Sequence, residues 1–308
     1  MIEFLAGALE WVKGYGEGIG SLVTAAALVV GGFWAIYEYN TAKKYESAKW
    51  LHDVFHSFYL DPRFDKLRIC LEFDYTNKLA PLIERVLIDE NAEVTETDKL
   101  LLCDLDTTLN YLEFILHLEK TKHLSESDRK AIFAFWYELI CRPDYAALRM
   151  YVRQCGYEAI SSAIVMLSGT GKSRANCIAF YGTLVGGHGT QEDLGVKEKL
   201  RHLGSCIING ELRDLGEFPG LVTGDQMIRG ELYEVADLAA FKILDKYEEF
   251  DPSHFESSMF VRRAVRLKEP DIDCWAYFYN RDASHGRKID DLQWREYKRR
   301  RDAGDQTL

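Results

Sequence analysis

The sequence predicts a multi-domain protein: an N-terminal transmembrane helix, an α-helical bundle, and an α+β domain built as a small mixed sheet or barrel. Three observations predict this order. Residues 18–37 contain no charged side chain. From about residue 40 to residue 167, apolar residues recur at three- and four-residue steps, which is the spacing of amphipathic helices. After residue 175, short apolar runs separated by Gly and Pro replace the helical pattern.

Composition limits the classes of protein that the chain can represent. A chain of 308 residues with 47% apolar and 28% charged side chains is typical of folded domains. A net charge of −11 argues against a nucleic-acid surface, and the basic cluster at residues 298–301 is predicted to be a solvated tail. Seven scattered cysteines without a C-x-x-C pair indicate reduced thiols, so we expect neither a zinc site nor a catalytic cysteine.

Residues 18–37 have the length of a membrane span. Twenty residues at about 1.5 Å each match a hydrocarbon core of about 30 Å. The acidic residues before the span (Glu3, Glu10 and Glu17) disfavour a cleaved signal peptide, while a buried soluble helix stays open as an alternative.

The residues that flank the span predict its orientation. Three lysines follow it directly (Lys43, Lys44 and Lys49), so the bulk of the chain is expected in the cytoplasm and the N-terminus outside. A stripe of small residues within the span (Ala27, Gly31 and Ala35) raises the hypothesis of a homodimer through this helix. The predicted boundaries are 1–17 for a short extracytoplasmic segment, 18–37 for the span, 38–167 for a cytoplasmic helical domain, 168–175 for a linker, 176–288 for the second domain and 289–308 for a charged tail.

The helical domain shows buried faces but no arrangement of catalytic groups. One helix carries leucines on a single face (Leu102, Leu105, Leu109, Leu112 and Leu116). Ser125 followed by Asp128 predicts a capped helix start, and a further helix is expected over about Tyr145 to Leu167. We therefore interpret this domain as a scaffold or a partner-binding module.

The linker segment ends like a phosphate-binding loop, because Gly171-Lys172-Ser173 is present. The complete pattern needs a Gly at position 166, where this chain has Met166, and it lies between a strand and a helix. Here a helix precedes and a strand follows, so a flexible linker is the favoured interpretation; a nucleotide-binding role for Lys172 is the less favoured one.

The second domain reads as short strands with one helix at about Asp237 to Tyr247. Its apolar runs cover residues 177–184, 206–210, 215–222, 227–235, 260–267 and 274–279. Within them, an ordered series of short motifs resembles the γ-glutamylcyclotransferase, or AIG2-like, family: Tyr181-Gly182-Thr183-Leu184, residues 210–216 with Phe218-Pro219-Gly220, residues 228–235, Leu244-Asp245-Lys246-Tyr247-Glu248, Arg262, and Trp275-Ala276-Tyr277.

The resemblance implies a small mixed barrel, a γ-glutamyl substrate and no cofactor. It implies that the turn Tyr181, Gly182, Thr183 and Leu184 holds the γ-glutamyl group, with Pro219 and Tyr277 as further substrate-binding residues. It also implies that Glu248 is the general acid/base of an intramolecular cyclisation that gives 5-oxoproline. Such a carboxylate can deprotonate the attacking α-ammonium and then protonate the departing amine.

Two positions depart from the family pattern, and one further residue is a candidate for the catalytic acid. Phe260 stands where the family usually has Tyr, and Glu249 stands where it usually has Gly. Glu231 is a second candidate acid whose direction the strand alternation leaves open. The leading hypothesis is a membrane-anchored γ-glutamylcyclotransferase, and the alternative is a non-catalytic sensor or scaffold that uses the same barrel.

Overall fold

The computed structural model describes residues 32–42, 45–46, 48–89, 91–168, 172–187, 189–290 and 294–304. The chain divides into two compact units, Met1–Asp61 and Pro62–Leu308. In the first unit, residues 32–42 and 48–59 are helical. Residues 18–31 of the predicted span, with Ala27 and Gly31 of its stripe, lie outside the described residues. Within the described ranges, no helix combines the length and the apolar character needed to cross a bilayer.

The second unit begins with six helices, as the apolar periodicity predicts. The helices are α1 (Pro62–Phe73), α2 (Ala80–Ile88), α3 (Glu96–Lys120), α4 (Glu126–Cys141), α5 (Ala146–Gln154) and α6 (Glu158–Ser168). The predicted cap at Ser125 is confirmed, since its hydroxyl accepts a hydrogen bond from the Asp128 N–H at 3.1 Å. Of the five leucines predicted to share one face of α3, Leu105, Leu109, Leu112 and Leu116 are buried.

The helix predicted over about Tyr145 to Leu167 is wrong as one element, because it is two helices. Gly156 lies between α5 and α6 with φ +79°, a left-handed conformation that ends α5 and that glycine adopts without steric cost. The chain turns there, so α5 and α6 pack against different neighbours: α5 against the strands that follow, and α6 against α3 and α4.

The second domain is a closed mixed barrel with a sixth strand at its side. Its strands are β1 (Lys172–Phe180), β2 (Leu200–Asp214), β3 (Pro219–Val235), β4 (Phe260–Glu269), β5 (Ile272–Tyr279) and β6 (Arg287–Ile289). The order is β3-β1-β5-β4-β2-β6, and an additional pairing of β3 with β2 closes a ring of five strands. Among the strand pairs of the described residues, only β1 and β5 run parallel. The predicted fold of a helical region followed by a small mixed barrel is confirmed.

Two further helices complete the barrel domain. The four-residue helix α7 (Thr190–Asp193) lies between β1 and β2, and α8 (Ala239–Tyr247) lies between β3 and β4, where the sequence predicts a helix. Helix α6 precedes β1, which is the opposite of the strand-then-helix order that a phosphate-binding loop needs.

The helical region packs directly on the barrel. Helix α5 contacts β1, β4 and β5, and Met150 is part of the apolar core of the barrel. Arg149 on α5 forms a bidentate ion pair with Asp273 on β5, at 2.9 Å from Nε and 2.8 Å from Nη2. Both side chains are almost fully buried, at 2% and 1% exposure. On α2, Glu84 accepts a hydrogen bond from the Ala264 N–H of β4 at 2.8 Å. Helices and barrel therefore share one interior.

The predicted charged tail is wrong for residues 294–302, which form helix α9 (Trp294–Asp302). Trp294 and Tyr297 are buried against the barrel domain. Arg301, predicted to be solvated, donates from Nη1 to both carboxylate oxygens of Asp214, at 2.8 and 3.0 Å. Its guanidinium also lies 5.6 Å from the Trp294 ring. The sequence alone predicts a solvated tail here because Asp214, the acidic partner of Arg301, lies 87 positions away.

Candidate functional site

A cavity of about 190 Å³ opens where β1 ends and α8 ends. Its described lining residues are Ala179, Phe180, Tyr181, Gly182, Thr183, Leu184, Phe218, Pro219, Tyr247, Glu248, Glu249, Met259, Phe260 and Tyr277. All seven residues that the sequence analysis proposed for the site are in this set: the turn Tyr181–Leu184, Pro219, Glu248 and Tyr277. Since Tyr247 and Glu249 are exposed, they mark the mouth of the cavity.

The turn after β1 presents backbone donors to the cavity. The N–H groups of Gly182, Thr183 and Leu184 donate no hydrogen bond to any residue that the structure describes. A Cβ on Gly182 would lie 2.9 Å from Cγ of Pro219, so the close approach of these two residues requires glycine. The turn is therefore held tightly against the β2–β3 connection with its donors available to a ligand.

The Tyr181 side chain fixes this turn from below. Its hydroxyl donates to the Tyr277 carbonyl at 2.8 Å and accepts from the Leu221 N–H at 3.3 Å. Burial raises the pKa of Tyr181 well above its usual value, so the hydroxyl stays protonated. Tyr181 thus ties β1, β3 and β5 together at the cavity floor, and its ring is the part available to a ligand.

Glu248 brings a carboxyl group to the same cavity from the end of α8. It is the C-terminal cap of the helix, and its own carbonyl accepts from the Phe260 N–H at 3.3 Å, which joins the helix end to the start of β4. Among the described residues, none donates a hydrogen bond to the Glu248 carboxylate. Burial, and to a lesser extent the Asp245 charge, raises the pKa of Glu248 to about 8. Glu248 is therefore mainly a neutral carboxylic acid near pH 7.

A buried network lies next to Glu248, one helical turn back along α8. Asp245 accepts from the Tyr277 hydroxyl at 2.6 Å and from Nη2 of Arg262 at 3.2 Å. The Arg262 guanidinium lies 4.0 Å from the Phe241 ring and 5.3 Å from the Trp275 ring. Burial raises the pKa of the Asp245 carboxyl, and the Arg262 charge and the Tyr277 hydrogen bond oppose that rise. The network fixes the Tyr277 hydroxyl in the cavity wall.

Glu249 is in a left-handed backbone conformation, with φ +51°. The N–H groups of Glu249 and Phe250 donate to Lys246 and Asp245 at 3.3 and 2.8 Å, which is the Schellman ending of a helix. Glycine is the usual residue there, which explains physically why the family pattern has Gly at this position. We expect Glu249→Gly to raise the free energy of unfolding by about 1 kcal/mol.

Urea unfolding measures that gain, and Lys122→Gly is the matched control. Lys122 is the other described non-glycine residue with positive φ, at +60°, and it also follows a helix C-terminus. Both variants should stabilise the protein by similar amounts. If Lys122→Gly stabilises the fold and Glu249→Gly does not, the Glu249 side chain makes a compensating contribution and the strain argument is wrong.

The structure shows the surroundings of Glu231 and Phe260, which the sequence left open. Glu231, the rival acid, is not among the described lining residues; it accepts from the Tyr233 hydroxyl and from the Gly186 N–H at 3.2 Å, and so anchors the loop after the turn. Phe260 lies between the rings of Phe218 and Tyr279, at 5.8 and 5.4 Å. The Tyr277 hydroxyl, on the neighbouring strand β5, donates to Asp245.

Sequence reasoning missed several residues that shape the site. Phe218, Tyr247 and Met259 line the cavity, and Asp245 with Arg262 supports it from behind. Asp245 is only 7% exposed. The available signal was the spacing of Asp245 and Glu248, since positions i and i+3 share one face of a helix.

The arrangement suits acyl chemistry that needs one proton carrier and a set of fixed donors. A neutral carboxylic acid can give a proton to a leaving group, and its carboxylate can take one from a nucleophile. Backbone N–H groups without internal partners can bind a carboxylate or a developing oxyanion. The residues that carry both kinds of group line the same small cavity.

Comparisons with known proteins agree with this geometry. The model of the family "Gamma-glutamyl cyclotransferase, AIG2-like" matches residues 178–296. A "Gamma-L-glutamyl-butirosin B gamma-glutamyl cyclotransferase" from Niallia circulans is 31% identical over 121 residues, which cover 38% of this chain and 74% of that protein.

Two solved structures of low identity are also similar to part of the chain. An AIG2-like protein from Mus musculus is 22% identical, with a TM-score of 0.31, covering 38% of this chain and 87% of that chain. An uncharacterised protein from Pyrococcus horikoshii is 21% identical, with a TM-score of 0.34, covering 42% of this chain and 99% of that chain. On the family model and the curated relative, the resemblance is confirmed: the chain belongs to the γ-glutamyl cyclotransferase, AIG2-like family and is a cyclotransferase-type enzyme.

Proposed function

We propose that this protein converts a γ-glutamyl amine or peptide into 5-oxoproline and the free amine, with Glu248 as general acid and base. The observation that carries the proposal is the shared cavity: Glu248 lines it together with Gly182, Thr183 and Leu184, whose N–H groups donate to no residue that the structure describes. Its volume of about 190 Å³ is smaller than the roughly 300–1,000 Å³ of pockets for drug-sized ligands. It suits a γ-glutamyl group whose leaving amine extends through the mouth past Tyr247 and Glu249.

The reaction begins with proton transfer from the substrate to Glu248. The carboxylate form of Glu248 removes a proton from the α-ammonium, and the freed amine attacks the γ-carbonyl carbon of the same molecule. The new C–N bond closes a five-membered ring, and the carbonyl oxygen becomes an oxyanion that backbone N–H groups of the turn can stabilise. Holding both reacting groups of one molecule in a curled conformation removes the entropic cost of bringing them together.

In the second half of the reaction, Glu248 gives the proton to the leaving amine. The neutral acid form of Glu248 donates to the nitrogen of the departing amine as the original amide C–N bond breaks and the oxyanion collapses to the ring carbonyl. Two protons leave the α-nitrogen: the first reaches the leaving nitrogen by way of Glu248, and the second passes from the ring nitrogen to the released amine or to water. The lactam is then neutral, and the enzyme ends in its starting state. The raised pKa of Glu248 serves this exchange, because an acid with a pKa near that of an amine passes protons in both directions with little cost.

Product analysis tests the proposal. The full-length protein is incubated with γ-L-glutamyl-L-alanine and with γ-L-glutamyl-n-butylamine in ¹⁸O-labelled water, and the products are separated by mass spectrometry. We expect unlabelled 5-oxoproline and one equivalent of free amine. The N-acetylated analogues, whose α-nitrogen is blocked, should give no product. Glutamate that carries ¹⁸O would indicate hydrolysis instead of cyclisation and would overturn the proposal, as would the absence of turnover with both substrates.

Membrane attachment remains a separate proposal that rests on the sequence of residues 18–37. We propose a single-pass anchor with the N-terminus outside, the barrel in the cytoplasm, and a homodimer contact along Ala27, Gly31 and Ala35. Membranes carrying the full-length protein are extracted with alkaline carbonate. Retention in the pellet is expected, and release into the supernatant would contradict the anchor.

A further inference from the structure

The acid/base chemistry proposed for Glu248 does not explain why an Asp245–Arg262 ion pair is buried next to it. Both residues are buried, at 7% and 3% exposure, and their ion pair has an Nη2–Oδ2 distance of 3.2 Å. A pair buried in this way costs desolvation energy and is weak evidence for stability alone. Its position between β4, β5 and the catalytic end of α8 calls for a role in the site.

The pair forms part of the wall that separates two cavities. Tyr277 and Glu248 line the candidate active site. Asp245 and Arg262 line a second cavity of about 990 Å³, whose lining includes Leu87 and Ile88 of the helical region. One carboxylate oxygen of Asp245 accepts from Tyr277, and the other accepts from Arg262. Asp245 is thus bound on both sides, and its carboxylate cannot rotate without breaking one of these hydrogen bonds.

We infer that Asp245, held by Arg262 and Tyr277, is a positioning residue for the reaction: it fixes the Tyr277 hydroxyl in the cavity wall and supplies a negative charge that favours the protonated form of Glu248. This inference rests on the proposed role of Glu248. The positive charge of Arg262 opposes the rise in the pKa of Asp245, and it also partly offsets the Asp245 field.

The other groups near Glu248 do not provide such a charge. The hydroxyls of Tyr181 on the turn and Tyr277 on β5 stay neutral, since burial raises the pKa of each well above its usual value. Arg262 on β4 reaches the site through Asp245. Glu249 lines the cavity but is exposed, where solvent screens its charge. The Asp245 charge raises the pKa of Glu248 and is the second cause of that rise, after burial.

The test uses folding stability and therefore does not require turnover. The free energy of unfolding is measured by urea between pH 4.5 and pH 9.5 for the wild type and Glu248→Gln. In the unfolded chain Glu248 ionises near pH 4.5, and in the folded chain near pH 8. The wild type loses stability relative to Glu248→Gln as pH rises through this window, and the difference becomes constant above the folded pKa. The pH of that levelling-off reports the folded pKa of Glu248.

The same pair of proteins is then compared in an Asp245→Asn background. We expect the difference to level off about one pH unit lower, because the neighbouring negative charge is gone. The double background Asp245→Asn with Arg262→Gln keeps an amide pair and leaves no buried charge unpaired, so it provides the measurement if Asp245→Asn alone does not fold. Glu256→Gln removes an exposed carboxylate of the loop after α8 and should leave the levelling-off pH unchanged.

The outcomes separate the inference from the proposed function. An unchanged levelling-off pH in the Asp245→Asn and double backgrounds overturns the inference, even if the protein produces 5-oxoproline. A purely structural role of Asp245 lowers stability at every pH without moving the levelling-off point, and that result also overturns it. A downward shift in a protein that makes no 5-oxoproline would uphold the charge effect and reject the reaction.

Discussion

Glu248→Gln is expected to lower kcat/KM for 5-oxoproline formation by about 10²–10⁴-fold while leaving the protein folded. Gln has the shape of the neutral acid form of Glu248, so the cavity can keep its form. It cannot accept a proton from the α-ammonium or return one to the leaving amine. Steady-state rates with γ-L-glutamyl-L-alanine, measured by 5-oxoproline release, check the expectation.

Stability gives that variant an internal check. Since a buried carboxylate is costly, Glu248→Gln should be more stable than the wild type above pH 8 by an amount on the order of a few kcal/mol. A residue that merely supports the fold would lose stability and activity together. Glu256→Gln, which removes an exposed carboxylate outside the cavity, should keep wild-type rates. Wild-type rates in Glu248→Gln would contradict the assignment.

Arg149→Met is expected to lower the free energy of unfolding by about 3–5 kcal/mol. The substitution leaves Asp273 buried at 1% exposure without its bidentate partner, and only Arg266 Nη1 remains, at 3.2 Å. It also removes donors from the carbonyls of Ile140, Arg142 and Pro143. Urea unfolding followed by tryptophan fluorescence measures the loss.

Arg153→Met is the matched control, since Arg153 lies on the same helix and is exposed. We expect it to change stability by less than about 0.5 kcal/mol. Because the ion pair joins helix α5 to strand β5, the helical region and the barrel should unfold in one transition. Equal effects of the two substitutions, or separate transitions for helices and barrel, would contradict the shared interior.

The placement of the site residues could be anticipated from short motifs in order along the chain. Glu248 and the turn Tyr181–Leu184 lie more than sixty residues apart in the sequence, and they meet because β1 and α8 end at the same edge of the barrel. The periodicity of apolar residues alone does not predict that Glu248 and this turn are close in space. It also left the direction of Glu231 open, since alternation along a strand does not tell which face is buried.

Contacts between residues far apart in the sequence could not be predicted from the sequence. Asp245 and Arg262 are seventeen positions apart, and Asp214 and Arg301 eighty-seven, so neither ion pair could be predicted from residues close together in the sequence. Arg149 was equally hidden, because a charged residue on an amphipathic helix usually faces solvent. The break at Gly156 was missed for a different reason: one glycine in a helical pattern is often tolerated.

The central claim is that the Glu248 carboxyl group carries the proton, and the pH dependence of kcat/KM tests it most directly. The reactive free enzyme is the carboxylate form, so kcat/KM should rise with pH and level toward a maximum with an apparent pKa near 8, the value that burial imposes on Glu248. The profile is measured with γ-L-glutamyl-L-alanine by 5-oxoproline release from pH 5 to pH 9. A rising limb near pH 8 is the predicted result, and a rate that is already constant between pH 6 and pH 8 would contradict the account.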